Sequence, residues 1–436
     1  MTSNSAYTAE QRPSMLVFNK STVIVWVAIS LIVIETFSGA LRFYFDQAGI
    51  SALLYLPKVA CIALFLFELQ YFKANRMVWV GLLLLLISGL LAMLHGASLN
   101  NLAFSLFGIS PLLFALVCSG PLIHRKRLFC WAIGLCLLAS IIGIALDKYT
   151  FVPWKGYSYS LGETQLAANT AWSTDETDRI AGFARVSNAL SIIIAIFSLY
   201  LAMFIRSRLL LVALCAVAFY SIILTTSKAP AGAFVLTLGM LFITRFRWTS
   251  RIVFVVAVLI GLALPILGLV HDFDPNAITS SDSSLSSLYD RLINTWPNVV
   301  NAMSRDGWTL TGAGFGLFGS TLALFPVPGT EFFSGSDSSA VYLWGVLGVA
   351  GILLYLLQIP LFCRLADEIT PIGRALLAIG FCICLISWTT DMFEVAVANL
   401  FMGLSMGHVL TRKTEPAPAS SKVQELHSLP ALSNLL

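Results

Sequence analysis

The sequence predicts an all-α polytopic membrane protein with about twelve transmembrane helices and two long connections on one face. Three observations predict it. Of 436 residues, 58% are hydrophobic and 11% charged, and the mean hydropathy of +0.86 lies far from that of soluble domains. Apolar stretches of about 20 residues, the length that crosses a hydrocarbon core, recur along the chain. The net charge of +4 is unevenly spread, because Lys and Arg gather in alternate connections.

Taken in order, the N-terminal segment 1–20 is polar and carries Glu10, Arg12 and Lys20. No small-residue cleavage site follows the first apolar run, which is therefore read as a retained helix. Spans are expected near 21–40, 49–71, 77–95, 101–123, 128–146, 186–205, 209–227, 230–245, 252–270, 339–363, 374–390 and 393–410. The seventh and eighth meet at the tight turn Thr225 to Pro230, and the last two at Thr389 to Asp391, so either pair also fits a re-entrant hairpin. The segment 411–436, with Pro416, Pro418 and several serines, is expected to be a disordered tail.

Orientation follows from the basic residues, which favour the cytoplasmic side in short loops. With the N-terminus inside, the inner pieces hold Arg12 and Lys20; Lys73 and Arg76; Arg125 to Arg127; Arg206 and Arg208; Arg245, Arg247 and Arg251; Arg364 and Arg374; and Arg412, Lys413 and Lys422. These are seventeen of the 26 basic residues. Both termini then lie inside, and the connections 147–185 and 271–338 lie outside. Nine cations oppose the rule: Arg42, Lys58, Lys148, Lys155, Arg179, Arg185, Lys228, Arg291 and Arg305. Interfacial snorkelling is the preferred account of Arg42, Lys148, Lys155 and Arg305, whereas for Arg179, Arg185, Lys228 and Arg291 the context shifts the balance towards binding of an anion such as a lipid phosphate.

The eight cysteines lie in or beside apolar stretches, which argues against disulfides and against a cysteine metal site. Five scattered histidines form no HExxH pair. No metal or other cofactor is therefore expected, and nothing points to nucleic acid.

Chemistry that needs water and charge concentrates in the two long connections. Arg179 to Asn188 ends the first and opens a helix, where backbone donors and two arginines suit a phosphate; a plain cap by Ser187 or Asn188 explains the polar residues equally well. Lys228 stands in a short outer turn. In the second connection, Tyr289 to Trp296 reads as an amphipathic helix reaching Met303, with Trp296 suited to the interface. Leu310 to Gly316 is expected to be a flexible, exposed turn, with Gly312, Gly314 and Gly316 forming the hinge of a lid. Ser334 to Ser339 leads into a span, which places Asp337 at a helix N-terminus. Asp391 and Glu394, in the last outer turn, either line the same cavity or pair with a cation.

Four motifs in this order carry a resemblance: Arg179-x-x-Gly182-Phe183 with Asn188; Thr225-x-Ser227-Lys228; Asp290-Arg291-Leu292 with Trp296, then Thr311-Gly312-x-Gly314-x-Gly316; and Tyr342-Leu343 with Leu347-Gly348-Val349-Ala350-Gly351. Together they resemble the bacterial O-antigen ligase and Wzy-type polysaccharide polymerase superfamily over about residues 179–355. The resemblance implies a GT-C-like fold and metal-independent, inverting glycosyl transfer at the periplasmic face of the inner membrane. It implies an undecaprenyl-diphosphate-linked oligosaccharide as donor and acceptor, with a flippase and a chain-length regulator as partner proteins.

Carried over by residue, Arg179, Lys228 and Arg291 bind the donor diphosphate, with Arg185, Asn188, Gly312 and Gly314 around it. Asp337 falls where the ligases show a histidine, so the resemblance leans to a polymerase that builds O-antigen, capsule or exopolysaccharide. A metal-free inverting transfer needs cations for the leaving group and a base for the acceptor. Asp337 is the first candidate base, with Glu163, Asp290 and His271 behind it. The rival readings are a ligase acting on another lipid or a protein and, from another class, a flippase or secondary transporter, against which the lack of matching halves counts.

Overall fold

In the computed structural model the described residues are 19–72, 76–161, 164–167, 173–174, 177–271, 273–274 and 285–412. The expected tail lies outside them apart from Thr411 and Arg412, which finish the last helix, and so do residues 1–18 and Glu163.

The chain is helical where the apolar runs lie. Helix α1 (Lys20–Thr36) starts at Asn19, whose side chain accepts from the Ser21 amide at 3.1 Å. It turns by 88° into α2 (Ser38–Gln47), so the first expected span is bent rather than straight. Then follow α3 (Leu56–Leu69), α4 (Arg76–Leu94), α5 (Leu99–Val117), the short α6 (Ser119–His124) and α7 (Lys126–Tyr149). Ser98 and Asn101 close a capping box on α5. Two short antiparallel hairpins, Ser158–Leu161 with Thr164–Ala167 and Ser173–Thr174 with Thr177–Asp178, occupy the first long connection. The middle of the chain forms α8 (Ser187–Ala202), α9 (Arg208–Leu224), α10 (Lys228–Ile243) and α11 (Arg247–Val270).

The second long connection holds α12 (Ser286–Asp290), a π-helical turn (Arg291–Thr295), α13 (Trp296–Arg305) and α14 (Thr321–Leu324). The single span expected over 339–363 is broken into α15 (Ser339–Leu347), α16 (Val349–Leu356) and α17 (Gln358–Ala366). The first break is at Gly348, at φ +59°, where a side chain would run into the Leu310 and Thr311 backbone. Helices α18 (Pro371–Ile386) and α19 (Ala396–Arg412) complete the chain.

Among the described residues six helices are long and apolar enough to cross a membrane: Ser51–Leu69, Arg76–Leu94, Leu99–Val117, Lys126–Tyr149, Arg247–Val270 and Val349–Ala366. The bent pair α1 and α2 makes a seventh if it is one span. Shorter apolar helices lie on the remaining expected segments, namely α8, α9, α10, α18 and α19. Leu66, Leu83, Leu209, Phe242 and Ile252 point their side chains outward unburied, which in water would be an aggregating surface and in lipid is the solvated one. This is the architecture of a helical polytopic membrane protein.

Two helices form its axis. On α8 the run Leu190 to Leu199 is buried on every face, and on α18 so is Ala375 to Ile386, as expected of helices apolar all round and surrounded by others. Helix α19 lies along α5, where Gly403 and Gly407 bring it against the Leu112 and Leu116 carbonyls.

The two ends of the body differ. At one, basic connections pair with acids: Lys20 with Glu68 at 2.7 Å, Arg247 and Arg251 with Asp367, and His408 with Glu368 at 2.9 Å. The long connections meet at the other, called the loop end below.

Candidate functional site

The first connection delivers its arginines on a fixed backbone. Asp147, buried at the end of α7, accepts from both the Ala181 and Gly182 amides at 2.9 Å and pairs with Lys155 at 3.1 Å. A single carboxylate thus ties down the stretch before α8. Gly182, at φ +57°, and Gly143 let Phe183 seat against α7, while Trp154 donates to the Gly182 carbonyl at 2.8 Å. The Ser38 hydroxyl accepts from the Arg185 amide at 3.1 Å, and the Gly39 amide donates to the Phe183 carbonyl at 2.8 Å. Helix α8 starts at Val186 without a side-chain cap. Ser187 and Asn188 are therefore not capping residues; Asn188 is half-buried, and its carbonyl accepts from Ser191.

The second connection is ordered by close packing. The expected flexible glycine lid is corrected here: residues 312–319 are buried, wedged between α4, α5 and α15. Gly312 faces the Val346 and Gly348 backbone, Gly314 the Ala92 backbone, and Gly316 that of Asn101. The Phe315 amide donates to the Ser88 hydroxyl at 2.9 Å, the Ala313 amide to the Gly345 carbonyl at 2.7 Å, and His95 Nδ1 meets the Ala313 carbonyl at 2.7 Å. His95 also stacks on Trp308 at 4.3 Å. All three glycines have positive φ, between +84° and +109°, so they serve a turn that only glycine fits. Gly312 and Gly314, expected beside a diphosphate, are committed to packing.

Trp296, expected at the interface, is fully buried. Its indole N–H donates to the Ser336 carbonyl at 3.0 Å and so fixes the strand that bears Asp337. Arg291 opens the π-turn, a geometry common at functional positions. Its Nε donates to Asp337 Oδ2 at 3.1 Å, and its Nη1 to the Ser287 carbonyl and hydroxyl at 3.0 and 2.6 Å. Asp337 is not a helix cap; it sits at φ +46°, strained for a residue other than glycine, facing Arg291.

Around this pair gather two further carboxylates from the connection between α18 and α19. Asp391 is buried; its Oδ1 accepts from the Phe393 amide at 2.9 Å, and its Oδ2 has no hydrogen-bond partner among the described residues. Glu394 keeps part of its surface open to solvent and accepts from the Ser320 amide. The turn is held by Ser339, whose hydroxyl accepts from the Met392 amide at 2.8 Å, and by Asn399, which donates to the Phe393 carbonyl at 2.6 Å.

Burial pushes the Asp391 carboxyl well above the usual range, and the charges of Glu394 and then Asp337 add to the effect against the Phe393 N–H and Ser339, which lower it. Glu394 is raised first by burial and then by Asp337, against the Ser320 hydrogen bonds and the charge of Arg185. Arg291 thus pairs with Asp337, and the charge of Arg185, from the other long connection, acts on Glu394.

A cavity of about 980 Å³ opens beside this cluster. Ser339, Tyr342, Met392 and Phe393 wall its loop end, and Gln358, Arg364, Asp367 and Glu368 its other end. Leu82, Leu85, Leu112, Leu116 and Leu354 are among the apolar side chains between. In its wall the Tyr342 and Phe393 rings stack at 5.4 Å.

Of the other residues expected in the site, Arg179 is exposed, and Lys228 is exposed at the first turn of α10 beside Thr226 at φ +59°. Asp290 accepts from its helix neighbour Asn294 at 2.7 Å, and His271 packs edge-on against Phe273, so both have structural work. No group of His, Cys, Asp and Glu suited to a metal ion occurs among the described residues. Sequence reading missed Asp147 and Ser38, since a lone acid or serine at a span end carries no signal until the amides it binds are known.

No protein-family model matches the chain, and no curated protein matches it.

Proposed function

We propose that this protein is a membrane glycosyltransferase that joins polyprenyl-diphosphate-linked oligosaccharides, a polymerase of surface polysaccharide. The observation that carries the reading is the pairing of Arg291 with Asp337 close to Asp391 and Glu394, with the charge of Arg185 acting on Glu394, beside an apolar cavity whose wall includes Ser339, Met392 and Phe393. Each part matches a need of such a reaction. The cavity wall is aliphatic through its middle and suits an isoprenoid chain, whereas a sugar drawn through it would find no hydrogen bonds there. Two guanidinium groups suit the diphosphate, whose charge grows as the anomeric bond breaks. Carboxylates suit the acceptor hydroxyl, which must lose a proton.

In this reading all twelve apolar segments cross the membrane in a GT-C-like arrangement. The loop end faces the periplasm of a bacterial inner membrane, and the paired, basic end faces the cytoplasm. Asp337 at the ligase histidine position favours polymerase over ligase.

The test is genetic and chemical. In cells lacking the protein, the carrier lipid is expected to accumulate single repeat units; long undelivered polymer would instead indicate a ligase, and carrier-linked units trapped inside would indicate a flippase. Arg291→Ala, present in the membrane at wild-type level, is expected to lose at least about 100-fold in polymer formation, the scale of one preorganised charge contact in a transition state. Full-length polymer from that variant would reject the diphosphate clamp.

A further inference from the structure

We infer that Asp391, and not Asp337, is the base that takes the acceptor hydroxyl proton, and that Asp391, Glu394, Ser336 and Ser338 form the subsite for the acceptor sugar. The inference rests on the glycosyl-transfer reading above and assigns the acceptor half of that site.

Four observations carry it. Asp337 is already engaged, since its Oδ2 holds Arg291 Nε and its backbone is pinned by Trp296 through Ser336. The use of a carboxylate in such a pair is to aim the guanidinium. Asp391 is the opposite case. It is buried, and its Oδ2 has no hydrogen-bond partner among the described residues; a buried carboxylate oxygen left so calls for a donor, which a ligand hydroxyl supplies.

The third observation is that Ser336 and Ser338, on either side of Asp337, are also buried with hydroxyls that make no hydrogen bond among the described residues. Three unsatisfied polar groups thus occur on two neighbouring segments, which the bond between the Ser339 hydroxyl and the Met392 amide holds together. Their common complement is a ligand rich in hydroxyls. Lastly, the two residues that follow Asp391, Met392 and Phe393, belong to the cavity wall, so the carboxylate lies next to the cavity. The stacked Tyr342 and Phe393 rings add the apolar platform that sugar C–H faces prefer.

The step balances without a co-reactant. The acceptor hydroxyl gives its proton to Asp391 Oδ2 while its oxygen forms the bond to the anomeric carbon of the donor. The bond from that carbon to the diphosphate oxygen breaks, and its electron pair stays on the phosphate facing Arg185 and Arg291. The proton then passes from Asp391 towards Glu394, which is open to water, and the pair is reset. Burial and the neighbouring charge make Asp391 a stronger base than an exposed aspartate.

The experiment uses the full-length protein in lipid vesicles with lipid-linked oligosaccharide extracted from host cells lacking it, and reads chain length and initial rate. Asp391→Asn is expected to cut turnover about 1,000-fold, within the range of general-base catalysis, and to leave KM for the lipid-linked substrate within about threefold. Asp337→Asn is expected to act mainly on KM, because it frees Arg291.

Sodium formate is expected to restore turnover at least about tenfold to Asp391→Gly and not to Asp337→Gly. A misfolded protein cannot be rescued in this way, so rescue separates a missing base from a damaged fold. Asp391→Asn with more than about a tenth of wild-type turnover would overturn the inference, as would failure of formate to rescue Asp391→Gly or rescue of Asp337→Gly alone. If these variants behave so while the wild type still elongates the substrate, the glycosyl-transfer reading stands without this base. A wild-type protein that neither consumes nor elongates the substrate removes both.

Discussion

The two ends of the helical body arrange their charges differently. At the basic end acids among the described residues have a cation or histidine against them: Glu68 has Lys20, Asp367 has Arg247 and Arg251, and Glu368 has His408. At the loop end Asp147 has Lys155 and Asp337 has Arg291, but Asp391 and Glu394 stand close to Asp337, and Asp391 Oδ2 has no hydrogen-bond partner among the described residues. Pairing at the first end satisfies the ordinary demand on charge near a membrane. The crowding at the second works against stability, and persists where a site needs a strong base or an unfilled hydrogen bond.

Three substitutions, read as stability, test the contrast, taken from the largest expected effect. Asp147 is the loop end's structural acid, because two amides and Lys155 depend on it. Asp147→Ala leaves those amides buried without an acceptor and is expected to cost about 2–3 kcal/mol, seen as a lower unfolding temperature in detergent. An unchanged unfolding temperature would mean that the Arg179 to Asn188 segment is held by its other contacts.

Asp391→Asn is expected to do the reverse, raising Tm by about 2 °C at neutral pH, since a neutral isostere avoids the desolvation cost. The sign follows from the raised carboxyl. The folded state binds the Asp391 proton more tightly than the unfolded state, so the native protein loses stability as pH rises from the ordinary aspartate value through the raised one. Glu394 shifts the same way. The advantage of Asn over Asp is therefore expected to shrink as the melt is repeated at acid pH; a constant difference would assign it to packing. At the basic end, Asp367 and its arginines are substantially exposed, and Asp367→Asn is expected to change stability by at most about 0.5 kcal/mol.

The helices were legible because twenty apolar residues admit few alternatives, and the expected segments coincide with helices throughout the described chain. The breaks were not. Gly348 in 339–363 and the bend after Thr36 arise from what the backbone meets, Leu310 in one case and the Phe183 carbonyl in the other. Of the site, Arg291 and Arg185 were legible as cations in the connections expected outside, and Asp337 as an acid in the polar run before a helix. The glycines were misread for a physical reason: Gly312, Gly314 and Gly316 look alike whether they give freedom to a loop or let a turn press against helices, and only their neighbours distinguish the two. Trp296 was misread similarly, because an amphipathic ring suits both a lipid interface and a buried donor to Ser336.

The wedge of residues 312–319 also bears on how the protein is made. Ser88 on α4 satisfies the Phe315 amide 227 positions later, and its own hydroxyl donates to the Val346 carbonyl at 2.7 Å, 258 positions later. At ribosomal rates of about 5–20 residues per second, roughly ten to fifty seconds separate synthesis of the two sides. Throughout that interval Ser88 on α4 is without these partners, because the residues that supply them have not yet been made. Assembly of this protein is thus a late event in its synthesis, and the period before it is when a membrane chaperone or a quality-control protease would meet the chain.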